Sequence, residues 1–324
     1  MIKLLITFAN SDCFVYGKTY LDDFTQIMRL AKGIQLTNDA HIADAIMFID
    51  RHITAGRLYY QYVDKHEFTQ KFSEKIMIYD GSDQPTAYSR GLFTSLPKQL
   101  FSSSLHKAVP YIFNVADSWE RNADIEKTTA VSFMGSSSGH PVRSKVLNMS
   151  DIPEFWHIKD TTNRNYYGSV QPTADDLRVW KDEYMTLLAK SDFVLCPRGR
   201  GTSTYRIYES LCLGAVPIVI SDDYVAPDVV DWGIIAASLP ENCVDVNSIN
   251  RSMKSASHKA VADFYHRHFD IANRGQLYAK QIESLLNIGG RWQRQSVLQF
   301  VNNQLYWLSH KVSKKLTYLS RANI

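Results

Sequence analysis

Residues 191–228 read SDFVLCPRGRGTSTYRIYESLCLGAVPIVISDDYVAPD. The apolar run Asp192–Cys196 is a buried strand, Ser203–Leu213 has helical spacing, and Val216–Ile220 is a second strand. Between the first strand and the helix lies a loop with two glycines and two arginines. Gly199 and Gly201 let the backbone come close to a ligand without a Cβ in the way. Thr202 or Ser203 is placed to cap the helix. The free N–H groups at that helix start, with the helix dipole behind them, attract a phosphate. Arg198 and Arg200 flank the loop, and Arg206 lies about one turn into the helix. Arginine suits a diphosphate because its planar fork makes paired hydrogen bonds. Gly214 is placed to end the helix, and Pro217 cannot reopen it. Ser221 and Asp222 follow as a turn at the end of the second strand. The same residues would equally serve an ordinary βαβ unit with a solvated basic loop. The loop is not a P-loop, because GxxxxGK[ST] is absent, and GRGTST lacks the third glycine of GxGxxG.

Outward from this segment the same rhythm repeats. Ile2–Phe8, Ala45–Ile49, Lys75–Tyr79 and Pro110–Val115 read as strands, and Tyr20–Ala31 as an amphipathic helix. Asp117–Lys127 is polar and charged and reads as an interdomain connection. Ala130–Met134 is then a strand, Ser136–Pro141 a loop and Val142–Asn148 the start of a helix. Alternating β and α elements predict parallel sheets with helices on both faces. Ligands of such sheets bind outside the carboxyl ends of the strands.

The chain has 324 residues, which fits two domains of about 150 residues. Its 45% hydrophobic and 21% charged residues are the balance of a globular protein. A net charge of +3 argues against nucleic acid as a partner. Cys13, Cys196, Cys212 and Cys243 form no CxxC pair and no zinc spacing. Leu4–Ala9 is too short for a signal h-region, and no stretch approaches the roughly 18 apolar residues of a membrane span.

CPRGRGTSTYRIYESLCLGAVPIVISDDYVAP resembles the signature of the exostosin family of glycosyltransferases, family 47. The correspondence runs over roughly forty residues: C-P-R-G, a Ser/Thr-rich turn, an Arg, a Glu, then G-x-x-P-V-x-x-S-D. Glu209-Ser210 stands where Glu-Ala is common. Upstream, FMGSSSGHPVRSKVL is similar to the family's F-x-G…R-x-x-L segment. The resemblance implies two Rossmann-like α/β domains facing a cleft (the GT-B architecture), a nucleotide-diphosphate sugar donor, usually UDP-linked, inversion at the anomeric carbon, and no metal or other cofactor. It places Gly135 and Arg143 beside Arg198, Gly199, Thr202, Ser203, Arg206, Ser221 and Asp222 as donor-binding residues. It gives Glu209 the donor ribose; the plainer role of Glu209 is an ion pair with Arg206 one turn away. Asp222-Asp223 lacks the spacing of a metal-binding DxD.

An inverting transfer needs a base for the acceptor hydroxyl. Asp83 and Asp80 are the candidates, in the loop after a buried strand of the N-terminal domain. An Asp-Gly turn without catalysis is the equal alternative, and Asp12 and His140 are reserves. The expected domains are 1–120 for the acceptor, 121–290 for the donor, and a tail at 291–324. From Arg291 onward there are six Lys/Arg and no Asp or Glu. Val297, Val301, Leu305, Leu308, Val312, Leu316 and Leu319 form a helical stripe there, with Lys311, Lys314, Lys315 and Arg321 off it. That tail either packs on the protein or touches an anionic membrane. The expected activity is sugar transfer to a glycan or lipid-linked acceptor in polysaccharide biosynthesis, in the cytoplasm or at the inner membrane face. A non-catalytic glycan- or nucleotide-binding subunit, and a GT-B enzyme of another class such as a fucosyltransferase, are the alternatives.

Overall fold

The computed structural model describes residues 1–9, 14–50, 56–87, 89–119, 125–164, 172–228, 231–253, 258–293, 299 and 301–309. The chain forms two compact units. The first comprises residues 1–113, 223–229 and 268–324; the second comprises 114–222 and 230–267.

In the first unit the chain runs β1 (Ile2–Thr7), α1 (Phe14–Leu30), β2 (Ile34–Leu36), β3 (Ala45–Asp50), α2 (Gly56–Lys65), α3 (Glu67–Lys71), β4 (Ile76–Asp80), β5 (Gly91–Phe93) and β6 (His106–Ala108). These strands form one parallel sheet in the order β2-β1-β3-β4-β5-β6. Its interior strands are apolar on both faces, as a parallel sheet covered on both sides requires. Ile46, Phe48, Ile76, Ile78, Tyr60 and Val63 make the centre of the core.

The second unit runs β7 (Thr129–Gly135), α4 (Pro141–Leu147), β8 (Trp156–Asp160), α5 (Ala174–Ala189), β9 (Ser191–Pro197), α6 (Tyr205–Cys212), β10 (Val216–Ile220), α7 (Trp232–Ile235), β11 (Ala237–Ser238), α8 (Val246–Ser252) and α9 (His258–His268). Its sheet is also parallel, in the order β11-β10-β9-β7-β8. Both units are therefore Rossmann-like α/β sheets. In each, the first strand lies between the second and the third, so the order reverses beside the first strand. That reversal is the point where doubly wound sheets bind ligands. In the second unit it falls between β7 and β9.

The chain returns to the first unit as α10 (Ile271–Ile288), which packs on α1. A Cβ at Gly275 would lie 2.3 Å from the Ile27 carbonyl oxygen, so glycine is what lets the two helices meet this closely. Trp292 is buried in the first unit's core, with its Nε1 donating to Asp64 Oδ1 at 2.7 Å. The division thus gives 268–324 to the first unit, whereas the sequence reading placed 268–290 in the donor domain and set 291–324 apart. Sequence periodicity reports that a helix has an apolar face, not which sheet receives it.

Pro110–Val115, read as a strand, is not one. The last strand is the shorter His106–Ala108. The backbone after it is held by side chains: Tyr79 Oη accepts from Ile112 N, Arg274 Nη1 donates to Ile112 O, and Tyr278 Oη donates to Pro110 O. An apolar run whose amides are satisfied from elsewhere needs no sheet partner.

Residues 301–309 are helical. Asn303, Tyr306 and Trp307 are buried, and Tyr306 Oη donates to Asp223 Oδ2 at 2.7 Å. Val301, Leu305 and Leu308 of the expected stripe are exposed. The rest of that stripe and the basic residues Lys311, Lys314, Lys315 and Arg321 lie outside the described residues. No described helix is long and apolar enough to cross a membrane.

Candidate functional site

The strand–loop–helix–strand order of residues 191–220 forms as its sequence dictates. Helix α6 ends in a left-handed Gly214 with φ 70°. Gly214 N donates to Leu211 O and Ala215 N to Ser210 O, the paired closure that satisfies the last carbonyls of a helix. The other end differs from expectation. The N-cap is Thr204, in extended backbone and without a side-chain cap bond, rather than Thr202 or Ser203. Thr202 is buried, and its carbonyl accepts from Ser221 Oγ at 2.8 Å, tying the loop after β9 to the end of β10. The Thr204 side chain therefore leaves the first turn of α6 without a cap bond of its own, and helix starts are places where anions bind.

Helix α6 is buried from Arg206 through Cys212. That burial places both a guanidinium and a carboxylate inside the unit. Arg206 is 6% exposed. Its guanidinium lies 4.7 Å from the Phe133 ring centre and 5.7 Å from that of Tyr184. Its Nη2 donates to Met134 O at 2.8 Å, while Nε and Nη1 have no hydrogen-bond partner. Gly135 makes room for it: a Cβ there would lie 3.0 Å from Arg206 Nη2 and 2.9 Å from the Phe133 ring.

Among the described residues no ion pair joins Arg206 to Glu209. The Tyr184 hydroxyl donates to Glu209 Oε2 at 2.6 Å instead, and Oε1 carries no hydrogen bond. Burial raises the Glu209 pKa, opposed by the Tyr184 hydrogen bond and the Arg206 charge, and burial also raises that of Tyr184. Burial pushes the neighbouring Cys196 thiol up to about 12, so it is a neutral core group and not a nucleophile. A buried cation with two donors lacking hydrogen-bond partners, and no ion pair among the described residues, has room for an anion.

Arg143, from α4, also lies over Phe133, at 6.0 Å. Its Nη1 reaches the carbonyls of Ser136 and Ser138, at 3.3 and 3.4 Å, and so shapes the serine loop after β7. That loop meets the other one at Gly139, whose φ is 101° and whose Cβ position would lie 3.5 Å from the Gly199 backbone. A Cβ at Gly199 itself would meet nothing within 4 Å. Arg200 is exposed. The two loops leaving the switch point thus bring Gly135, Arg143, Gly199 and Arg206 together.

Arg198 stands differently from expectation. It is 1% exposed and turned back on its own loop, with Nε donating to Gly201 O at 3.1 Å. Its Nη1 lies 3.6 Å from Glu241 Oε1. Glu241, just past β11, also exchanges hydrogen bonds with Asp222: Asp222 N donates to Glu241 Oε1 and Glu241 N to Asp222 Oδ1, both at 3.1 Å. His140 caps α4, with Nδ1 accepting from Val142 N at 3.4 Å, and Nδ1 lies 3.6 Å from Glu241 Oε2. Asp223 instead bonds Tyr306 and Gln99, within the first unit. Among the described residues no three His, Cys, Asp or Glu side chains are grouped to hold a metal. Tyr184 and Glu241 are parts of the site that the sequence reading missed, one on an amphipathic helix and one in a late turn, while Phe133, the first residue of the F-x-G segment, was read without a role.

In the first unit, Asp80 is 0% exposed. Its Oδ2 accepts from Tyr60 Oη at 2.7 Å and its Oδ1 from Ser82 N at 2.9 Å. Its carboxylate closes the turn after β4. Asp83, in the same loop, is exposed. Asp12 lies outside the described residues.

The Exostosin GT47 domain profile matches residues 71–253, more than half of the chain. Among similar proteins, an Exostosin-1 homolog of Caenorhabditis elegans is 31% identical over 49% of this chain and 44% of its own length. A probable glycosyltransferase of Arabidopsis thaliana is 32% identical over 36% of this chain and 22% of its own length. The chain therefore spans less than half the length of these relatives. Among solved structures, the lipopolysaccharide outer core galactosyltransferase WaaB in its apo form is 12% identical, covering 88% of this chain and 99% of that one, with a TM-score of 0.47. The profile match, over the same strands and loops that build the arginine site, shows that the chain belongs to the exostosin GT47 family.

Proposed function

We propose that this protein is an inverting glycosyltransferase of GT-B arrangement that takes a sugar from a nucleotide diphosphate, UDP in the first instance, and passes it to a glycan or lipid-linked acceptor. The single observation that carries the reading is Arg206: buried at the switch point of the second sheet, in the first turn of α6, with Nε and Nη1 lacking hydrogen-bond partners. An arriving diphosphate supplies the missing acceptors, and a charge-assisted pair in a dry site is strong.

In this reading the acceptor oxygen forms a bond to the anomeric carbon as the bond from that carbon to the diphosphate oxygen breaks. The leaving diphosphate keeps the electron pair, and Arg206, Arg143 and the first amides of α6 neutralise it. No metal is required for that neutralisation. Glu209, with Oε1 still open, accepts from the donor ribose hydroxyls while Tyr184 fixes its other oxygen. Asp83 takes the acceptor proton.

The test is to incubate the full chain with UDP-sugars, with and without glycan acceptors, and to follow UDP release and product. Transfer with inverted configuration supports the reading. Binding of the nucleotide with no turnover under any acceptor would make the chain a non-catalytic binding subunit.

The exposed Val301, Leu305 and Leu308 favour one addition, that the tail rests on an anionic bilayer. These three stripe positions are exposed, and the sequence from Arg291 onward is basic without an acid. Attraction of about 1 kcal/mol per Lys or Arg near such a surface is screened by salt. The protein should co-sediment with anionic vesicles at low salt and release as salt rises; absence of co-sedimentation at every salt concentration removes the addition.

A further inference from the structure

Three chain segments of the second unit converge on a single carboxylate. Glu241 Oε1 faces Arg198 Nη1 from the loop after β9 and accepts from Asp222 N after β10. Its Oε2 faces His140 Nδ1 at the start of α4, and its carbonyl accepts from Lys145 Nζ at 2.8 Å. The Glu241 side chain is 17% exposed, and the Arg198 it faces is 1% exposed. A guanidinium buried that deeply is stabilised by a facing carboxylate, and removing one partner of a buried pair is costly. Arg198 in turn holds Gly201 O, so its position sets the path of the glycine-rich turn that leads into α6.

We propose that Glu241 and Arg198 form a positioning pair: together they hold the Gly199–Ser203 turn in the shape that presents the α6 amides and Arg206 to a diphosphate. This rests on the anion-site reading above. It deepens that reading by giving Arg198 a scaffold role and by adding a residue from outside the loop motifs.

The pair is tested by titrating inorganic pyrophosphate into the full chain calorimetrically. The variants are Glu241→Gln, Glu241→Ala, Arg198→Lys and the double Glu241→Gln/Arg198→Lys, with Arg206→Ala as the reference for direct contact. Cooperative melting is checked for each. Glu241→Ala should weaken pyrophosphate about tenfold, a step worth about 1.4 kcal/mol. Glu241→Gln should recover part of that loss, because its amide oxygen still accepts from Asp222 N. The double variant should be no weaker than the weaker single, since members of one network are not additive. With a sugar donor, the donor KM should rise while kcat changes little, a split that general destabilisation does not give.

Parent-like affinity in both Glu241 variants, alongside a loss in Arg206→Ala, overturns the positioning role and leaves the anion site standing. Tighter binding in Glu241→Gln also overturns it, by making Glu241 a competitor of the ligand. Parent-like affinity in Arg206→Ala as well, or no binding by the parent, overturns the anion site and the pair together.

Discussion

In the second unit the strand order reverses between β7 and β9, and the two loops leaving that point carry small residues, Arg143 and the start of a buried helix that holds Arg206. In the first unit the order reverses between β1 and β3. The loops leaving those strands pass into residues 10–13 and 51–55, outside the described residues. One strand further on, after β4, that sheet presents two carboxylates, Asp80 buried and Asp83 exposed. Similar topology thus presents arginines beside its reversal in one unit and carboxylates one strand past it in the other. Sheet order supplies the place for a site; the side chains supply what it does.

The sharpest way to break the comparison is at Asp83. If the first unit supplies the base, Asp83→Asn should reduce transfer about 10²–10⁴-fold while leaving UDP affinity near the parent's. Equal losses in transfer and UDP binding would remove the division of labour between the units, and a drop under about tenfold would take the role from Asp83.

The units should also differ in their response to acid. His106 is buried in the first unit, where Nδ1 accepts from Ser102 N at 2.9 Å and the ring lies against Phe93 and Phe101. Burial lowers its pKa to about 4. The unfolded chain therefore binds the proton first, near the ordinary value of about 6.5. Stability is complete above that value, falls as pH drops through the window, and has lost about 3 kcal/mol below pH 4. Denaturant unfolding between pH 7 and 4 should show this slope in the parent. His106→Asn, which keeps an acceptor but cannot titrate, should flatten it; an unchanged slope would assign the acid sensitivity elsewhere.

The smallest effect is an expected zero. If arginines and helix amides neutralise the leaving group in the second unit, turnover should survive EDTA. Loss of turnover that returns with Mg²⁺ or Mn²⁺ would replace that account with a metal one.

The second unit was the more legible of the two because its decisive residues are neighbours in sequence. The glycine that ends α6, the strands on either side and the placement of Arg206 one turn in all follow from residues within one βαβ unit. The cap at Thr204 escaped because Thr202, Ser203 and Thr204 are chemically equivalent, and backbone angles chose among them. Tyr184 was illegible: it occupies an ordinary position of an amphipathic helix, and only packing of α5 on α6 brings its hydroxyl to Glu209. Glu241 was illegible for the same reason, its partners lying 19 to 101 residues away in sequence. In the first unit, Pro110–Val115 reads as a strand because it is apolar. The side chains that satisfy its backbone come from Tyr79, Arg274 and Tyr278, and no local pattern announces them. Asp80 and Asp83 look alike in sequence, and burial alone separates the structural carboxylate from the candidate base.

The central claim is that the idle donors of Arg206 receive a diphosphate. Calorimetric titration of UDP into the full chain and into Arg206→Ala tests it most directly. Hydrogen bonds to charged groups are worth about 1.5–3 kcal/mol, so the variant should fold and bind UDP roughly ten- to 150-fold more weakly. A folded Arg206→Ala protein that binds UDP as tightly as the parent would contradict the account.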